Sequence, residues 1–205
     1  MNIARLIGMC DVGKAVEGDV LLSSSDGWIG DAIQFFTAQR ETHAQQIFRG
    51  DAEDWMLAES TLDLEGGRLV ANGPQITPLV EALRGSTATY WLYRWRAPPF
   101  PSQVAAMRAA WQKMIDRQTP YGVGQILLLA HWMRLRRWWG WLPWFGKWLR
   151  AHPPIPMFRQ EVCSTALAKV ALGAGMVKHL MSDPAGVTPG DIAAWPELDG
   201  GTELE

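Results

Sequence analysis

Cysteine is scarce in this chain of 205 residues, with Cys10 and Cys163 the two present. Two are too few for a disulfide framework at this size, and a reactive thiol is the more useful reading for at least one of them. Neither sign of charge dominates. With 19 Lys and Arg against 21 Asp and Glu, the formal net charge is -2, so no overall basic field attracts nucleic acid. No uninterrupted apolar run reaches about 18 residues, which argues against a membrane-spanning helix. The segment Met1 to Cys10 carries one basic residue, Arg5, but lacks the longer apolar stretch of a cleaved secretory signal. The expected location is therefore cytoplasmic, with peripheral membrane contact left open.

What is abundant is apolar surface. Nearly half of the residues, 48%, are hydrophobic, enough to bury a core, and the length suits one domain over residues 1–205 better than two. Gly18-Asp19 followed by Val20-Leu21-Leu22 reads as a turn entering a short buried strand, stopped by the cluster Ser23-Ser24-Ser25-Asp26-Gly27. Ile29, Ile33 and Phe36 then recur at helical spacing, which predicts a helix from about Trp28 to Thr37. Strands are expected around His43 to Phe48, Met56 to Ser60 and Leu69-Val70, as an antiparallel meander.

Thr89 to Trp95 alternates Tyr90, Leu92 and Arg94 with Trp91, Tyr93 and Trp95, the period of a sheet strand. Ser102 is placed to cap a helix from about Gln103 to Arg117, with Val104, Met107, Trp111, Met114 and Ile115 as its apolar stripe. A second stripe, Val162, Ala166, Leu167, Val170 and Ala171, predicts a helix ended by Gly173. The tail from Trp195 to Glu205 reads as polar and frayed.

Cys163 falls at the start of that second helix. A thiol in a first helical turn feels the positive end of the helix dipole and nearby unpaired amides, both of which favour thiolate. Cysteine hydrolysis also needs a base within hydrogen-bond reach and a third group to orient it, and neither must be near in sequence. His43, at the beginning of a strand whose face it shares with Gln45 and Ile47, is a candidate base. Glu59 is a carboxylate in a mostly apolar strand, flanked by Ala58 and Ser60, and calls for a cationic or N–H partner such as His43. The alternative is structural: a small buried cysteine and a hydrogen-bonded core or surface histidine. His131, His152 and His179 have no metal-site spacing, and Cys10 lacks comparable context.

Several short motifs occur in a telling order: Gly18-Asp19-Val20-Leu21-Leu22, Phe35-Phe36-Thr37, Thr42-His43-Ala44, Glu59-Ser60, Thr77-Pro78-Leu79, Thr119-Pro120-Tyr121-Gly122, Val162-Cys163-Ser164, and Thr188-Pro189-Gly190-Asp191-Ile192. Across residues 17 to 193 this order resembles the circularly permuted NlpC-type papain-like cysteine amidases and peptidases, the YiiX/YaeF-like group, which is related to lecithin-retinol-acyltransferase-like enzymes. In such families the histidine-bearing strands precede the cysteine-bearing helix, as here. The resemblance implies a permuted papain-like α+β fold, with an antiparallel, partly barrel-like sheet packed against helices. It implies Cys163 as nucleophile, His43 as general base, Glu59 as the residue orienting the imidazole, and Tyr121 lining the site as a substrate-binding residue. It requires no metal and no organic cofactor. Two departures stand out: the residues after the histidine, Ala44-Gln45-Gln46, are more polar than the apolar strand of relatives, and a Trp/Arg-rich stretch at about residues 126–150 is unusually pronounced.

The expected function is a thiol hydrolase acting on a peptide or another amide, such as a cell-wall peptide, through a thioester. The competing readings are a lipid-directed acyl hydrolase or acyltransferase, and a binding protein with a silent site. The lipid reading draws on a Trp/Arg-rich insert at about residues 126–150. It holds half of the twelve tryptophans, interleaved with Arg134, Arg136, Arg137, Lys147 and Arg150. Such a stretch suits a membrane interface, and Trp138, Trp139 and Trp141 are the expected contact residues for anionic lipid or for a second copy of the chain. Its plainer reading is a core-packing helical hairpin with basic ends.

Overall fold

A computed structural model describes residues 15–24, 34, 39–50, 54–65, 68–84, 86–122, 162–178, 180 and 183–204, with isolated positions at 131, 135, 138, 142 and 144. Six strands form one antiparallel sheet: β1 (Val20–Ser24), β2 (His43–Arg49), β3 (Trp55–Glu65), β4 (Arg68–Pro78), β5 (Thr89–Tyr93) and β6 (Thr202–Leu204). Their spatial order is β4-β3-β2-β1-β5-β6. The helices are α1 (Leu79–Ala82), α2 (Pro101–Asp116), α3 (Cys163–Gly173) and α4 (Pro189–Ala193), with a 3-10 turn at Pro184–Gly186. The class is α+β. Among the described residues the ladder ends on β4 and β6, which do not pair with each other, so strand pairing leaves the sheet open where partial closure was expected.

Period-two alternation divides the sheet into two apolar faces. Val20, Leu22, Ala44, Phe48, Ala58, Trp91 and Tyr93 face the main core, where Met107 and Trp111 of α2 and most of α3 cover them. Leu21, Ile47, Leu57, Tyr90 and Leu92 face the opposite side, against Leu79, Ala82 and Leu83 at and just after α1. The alternation read in Thr89 to Trp95 is therefore the one observed, although β5 ends at Tyr93 and Trp95 forms an isolated bridge with Leu198. Burying side chains of this size contributes about 1.5–3 kcal/mol each, so the two faces together hold the sheet in place.

Three expectations need correction. β3 and β4 are an 11-residue pair, far longer than the strands expected around Met56 to Ser60 and Leu69-Val70. Asp63, Glu65 and Asn72-Gly73-Pro74 look like turn residues locally, but ladder pairing carries them, with one register shift between Asp63 and Leu64. The α2 helix begins at Pro101, not after Ser102. Pro101 occupies the first turn, where its missing N–H costs nothing, and Gln103 Oε1 accepts the Phe100 N–H at 2.9 Å. The tail is ordered: Leu198 is buried, Trp195 stacks on Trp95 at 6.3 Å between centroids, and β6 pairs with β5.

The predicted helix from Trp28 to Thr37 lies outside the described residues apart from Gln34, which is helical. Most of the 126–150 insert, including Trp139 and Trp141, also lies outside them, as does Cys10. Of the insert's described positions, Trp138 and Trp144 are exposed. Among the described residues no helix is long and apolar enough to cross a membrane.

Candidate active site

Cys163 is the first residue of α3, whose N-cap, Val162, has no side-chain cap hydrogen bond. Eight of the helix residues, Cys163 to Ala168 with Val170 and Ala171, are buried. Small side chains along this stretch let the helix sink between α2 and the sheet. Its first turn therefore reaches the interior with backbone N–H groups still available. Two amides hydrogen-bond the Cys163 sulfur: that of Ser164 in the same turn and that of Ala44 on β2. The Ser164 hydroxyl, in turn, donates to the Val187 carbonyl at 2.7 Å and fixes the start of the helix.

His43 opens β2, the strand against which this helix start lies, and its ring hydrogen-bonds the Cys163 thiol. On its other side His43 Nε2 is 2.8 Å from Glu59 Oε2. With Nε2 committed to the carboxylate, Nδ1 is the ring nitrogen left for sulfur. Glu59 sits on β3 directly opposite Gln45 of β2, so it lies diagonally across from His43, within reach for long side chains. The structure thus brings Cys163, His43 and Glu59 into one chain of contacts.

Tyr121 joins them, with its hydroxyl hydrogen-bonded to the Cys163 sulfur. Its placement comes from a backbone crossing. The Tyr121 N–H donates to Asn72 Oδ1 at 2.9 Å, and the residue after that asparagine, Gly73, has φ +118. A side chain at Gly73 would overlap the Thr119 carbonyl oxygen, so glycine is what allows segment 119–121 to cross β4 this closely.

The electrostatics follow from burial set against these contacts. Burial alone pushes the Cys163 thiol up, but the charge and hydrogen bond of His43, with the Ala44 and Ser164 amides, hold it below its ordinary range. Burial opposes a charged His43. The neighbouring Cys163 and Glu59 overcome that and raise its pKa well above the usual histidine value. Burial would also raise Glu59, yet the hydrogen bonds and charge of His43, with Gln75 and Gln45, lower it to about 2. Tyr121 is pushed far up by burial and by the negative Cys163 and Glu59, so it stays a neutral O–H donor. The shifts of Cys163 and His43 run in the directions that favour a thiolate beside an imidazolium.

Comparison with solved structures finds a match to a protein described as metalloprotein YiiX from Escherichia coli O157:H7, with a TM-score of 0.60 at 14% sequence identity. The likeness is one of fold. It covers 94% of this chain and 98% of that one, so the whole architecture corresponds and not a fragment. No family model matches the sequence, and no curated protein matches it either.

Sequence reasoning missed the two glutamines bonded to Glu59. Gln45 Nε2 donates to Glu59 Oε2 at 2.9 Å and Gln75 Nε2 donates to Glu59 Oε1 at 3.0 Å. The signal was present in part: the polar pair Gln45-Gln46 stood out in a strand expected to be apolar. Both are buried and both are bonded. Gln46 points to the main core, where its amide donates to the Gly18 carbonyl at 3.0 Å and accepts from Trp111 Nε1 at 2.9 Å.

Proposed function

We propose that this chain is a cysteine hydrolase of permuted papain-like architecture, an amidase or peptidase acting through a thioester. The observation that carries the reading is His43 standing between Cys163 and Glu59, with one ring nitrogen toward each. In the mechanism the Cys163 thiolate attacks a substrate carbonyl carbon, and its electron pair forms the C–S bond as the carbonyl π pair moves to oxygen. The oxyanion is stabilised by N–H donors at the start of α3 and by the neutral Tyr121 hydroxyl. Collapse of the tetrahedral species expels the amine, which takes the proton from His43, and leaves a thioester. His43, now neutral, accepts a proton from water as that water attacks the thioester. The acid product leaves, and the proton restores the thiolate–imidazolium pair. Glu59 stabilises the imidazolium whenever it forms.

The fold neighbour is described as a metalloprotein, so the same residues need testing as a metal set. Among the described residues no group of three or more His, Cys, Asp or Glu side chains is arranged to hold an ion. His43 has one nitrogen on Glu59 and the other toward Cys163, and Glu59 already accepts three N–H bonds. These residues do not fit a metal centre, and the chemistry above uses none.

An activity probe that alkylates or acylates thiols tests the reading. Wild-type protein should be labelled rapidly at Cys163, and Cys163→Ala should lose that labelling together with hydrolysis across a panel of amide and ester substrates. Glu59→Gln should keep covalent chemistry but slow it by about a hundredfold or more, because the imidazolium loses its counter-charge. Full hydrolysis by both variants would place the chemistry elsewhere.

A second reading, a lipid-directed acyl hydrolase or acyltransferase, is favoured by the exposed rings of Trp138, at 59%, and Trp144, at 74%. It predicts sedimentation with anionic vesicles, weakened by salt and by Trp138→Ala with Trp144→Ala. Hydrolysis of lipid esters in preference to peptide amides would select it over the first reading.

A further inference from the structure

Glu59 is held from both sides. Gln45 on β2 and Gln75 on β4 are its direct cross-strand neighbours, so the three residues form one row across the sheet. Gln45 donates to Oε2, the oxygen that also accepts from His43, and Gln75 donates to Oε1. Three N–H donors take three of a carboxylate's roughly four acceptor positions, so protonating it would weaken bonds that favour the charged form. Its rotation is also opposed, since turning about the last side-chain bond would break all three bonds. The arrangement has a cost at Gln45: its own Oε1 is buried and finds no partner among the described residues. Flipping its amide would offer that oxygen to another oxygen, so Glu59 fixes which end of Gln45 points inward.

Resting on the hydrolase reading, we propose that Gln45 and Gln75 are positioning residues of the reaction, forming a two-sided clamp that keeps Glu59 ionised and aimed at His43 Nε2. By fixing the carboxylate, the clamp fixes the proton on Nε2 and leaves Nδ1 to exchange protons with sulfur and substrate. Neither glutamine touches the reacting atoms. Removing both donors releases the carboxylate to rotate and to take up a proton at a higher pH, because hydrogen bonds to the charged form are what favour it. Once it does, the imidazolium loses its partner and the thiolate becomes less stable.

Among the described residues the titratable groups facing this row are few. Glu59 is faced by His43 from β2, Tyr90 from β5 and Tyr121 from segment 119–121, and Cys163 by His43 and Tyr121. Both tyrosines are raised, chiefly by burial, and remain neutral through the acid range. The acid limb of thiolate reactivity therefore reports on the Cys163–His43–Glu59 chain.

The test is the pH dependence of Cys163 alkylation by iodoacetamide, in wild type and in Gln45→Met with Gln75→Met, which keeps the side-chain length and removes both donors. It needs no knowledge of the substrate. In wild type, rapid alkylation should persist well below the ordinary thiol range. In the double variant the rate at pH 6 should fall about tenfold, as when the acid limb moves up by about one pH unit, with the alkaline plateau unchanged. A merely structural role would lower both limbs together or neither. An unmoved acid limb in a folded double variant overturns the clamp and leaves the hydrolase reading standing. An ordinary thiol profile in wild type overturns both. If the double variant does not fold, Gln75→Met alone on the edge strand carries the test, with a displacement in the same direction expected and an unmoved acid limb overturning the clamp.

Discussion

Two of the buried carboxylates, one in the sheet and one beside it, behave in opposite ways. Glu59 on β3 and Asp19 beside β1 are both nearly out of water, at 8% and 1% exposure. Glu59 is lowered to about 2 and Asp19 is raised to about 6. Burial acts in the same direction on each, so the neighbouring donors and charges decide the outcome. Glu59 has a donor on each oxygen, His43 and Gln45 on Oε2 and Gln75 on Oε1. On Asp19, Oδ2 accepts the Val16 N–H at 2.9 Å and lies 4.0 Å from Arg94, while Oδ1 has no partner among the described residues. A buried acid becomes a dependable anion when donors surround it, and a titrating group when they do not.

The largest expected effect comes from removing the better-served acid. Glu59→Leu strands the N–H groups of His43, Gln45 and Gln75 in a buried pocket, and breaking a buried charged pair in this way costs about 3–5 kcal/mol. Urea unfolding at pH 7 should show it as a lower midpoint. A loss under about 1 kcal/mol, the size of an ordinary single hydrogen bond, would mean that the three donors find water or other partners.

A smaller effect separates the two acids by the sign of their pH dependence. The folded pKa of Asp19 lies above its unfolded value of about 3.9. Its contribution is therefore fully present below about pH 4 and is lost as pH rises through 6. Glu59 is depressed, so its contribution is present above the ordinary carboxyl range and is lost as pH falls toward 2. Comparing unfolding midpoints of wild type and Asp19→Asn from pH 4 to 7 isolates the first contribution. Wild type should lose ground to the variant by at most about 1.4 kcal/mol per pH unit in this window. A constant difference across the range would mean that Asp19 titrates normally.

The same contrast explains what could be read from the sequence. Strand β5 was legible because Tyr90 to Trp95 alternates without interruption, and the start of α3 because an apolar stripe at helical spacing follows Cys163. His43 and Glu59 were legible as polar residues in otherwise apolar strands. The clamp was not, because Gln45 and Gln75 meet Glu59 only through strand register, and local pattern does not encode register. The β3–β4 ribbon was read too short for a related reason: Asn72-Gly73-Pro74 carries turn chemistry, yet Gly73 serves a close crossing by Thr119. The tail looked frayed because its few apolar residues, Trp195 and Leu198, find Trp95 only in three dimensions.

An ion pair between Cys163 and His43 at rest is central to the proposed chemistry, and the protonation of the His43 ring reports it directly. Nitrogen NMR of the imidazole at pH 7.5, assigned with a His43→Gln variant, separates a doubly protonated ring from a neutral tautomer. Both His43 nitrogens should be protonated in wild type, and Cys163→Ala should lower the ring's pKa by removing the negative sulfur. A neutral His43 in wild type, unchanged when Cys163 is replaced, would contradict the account.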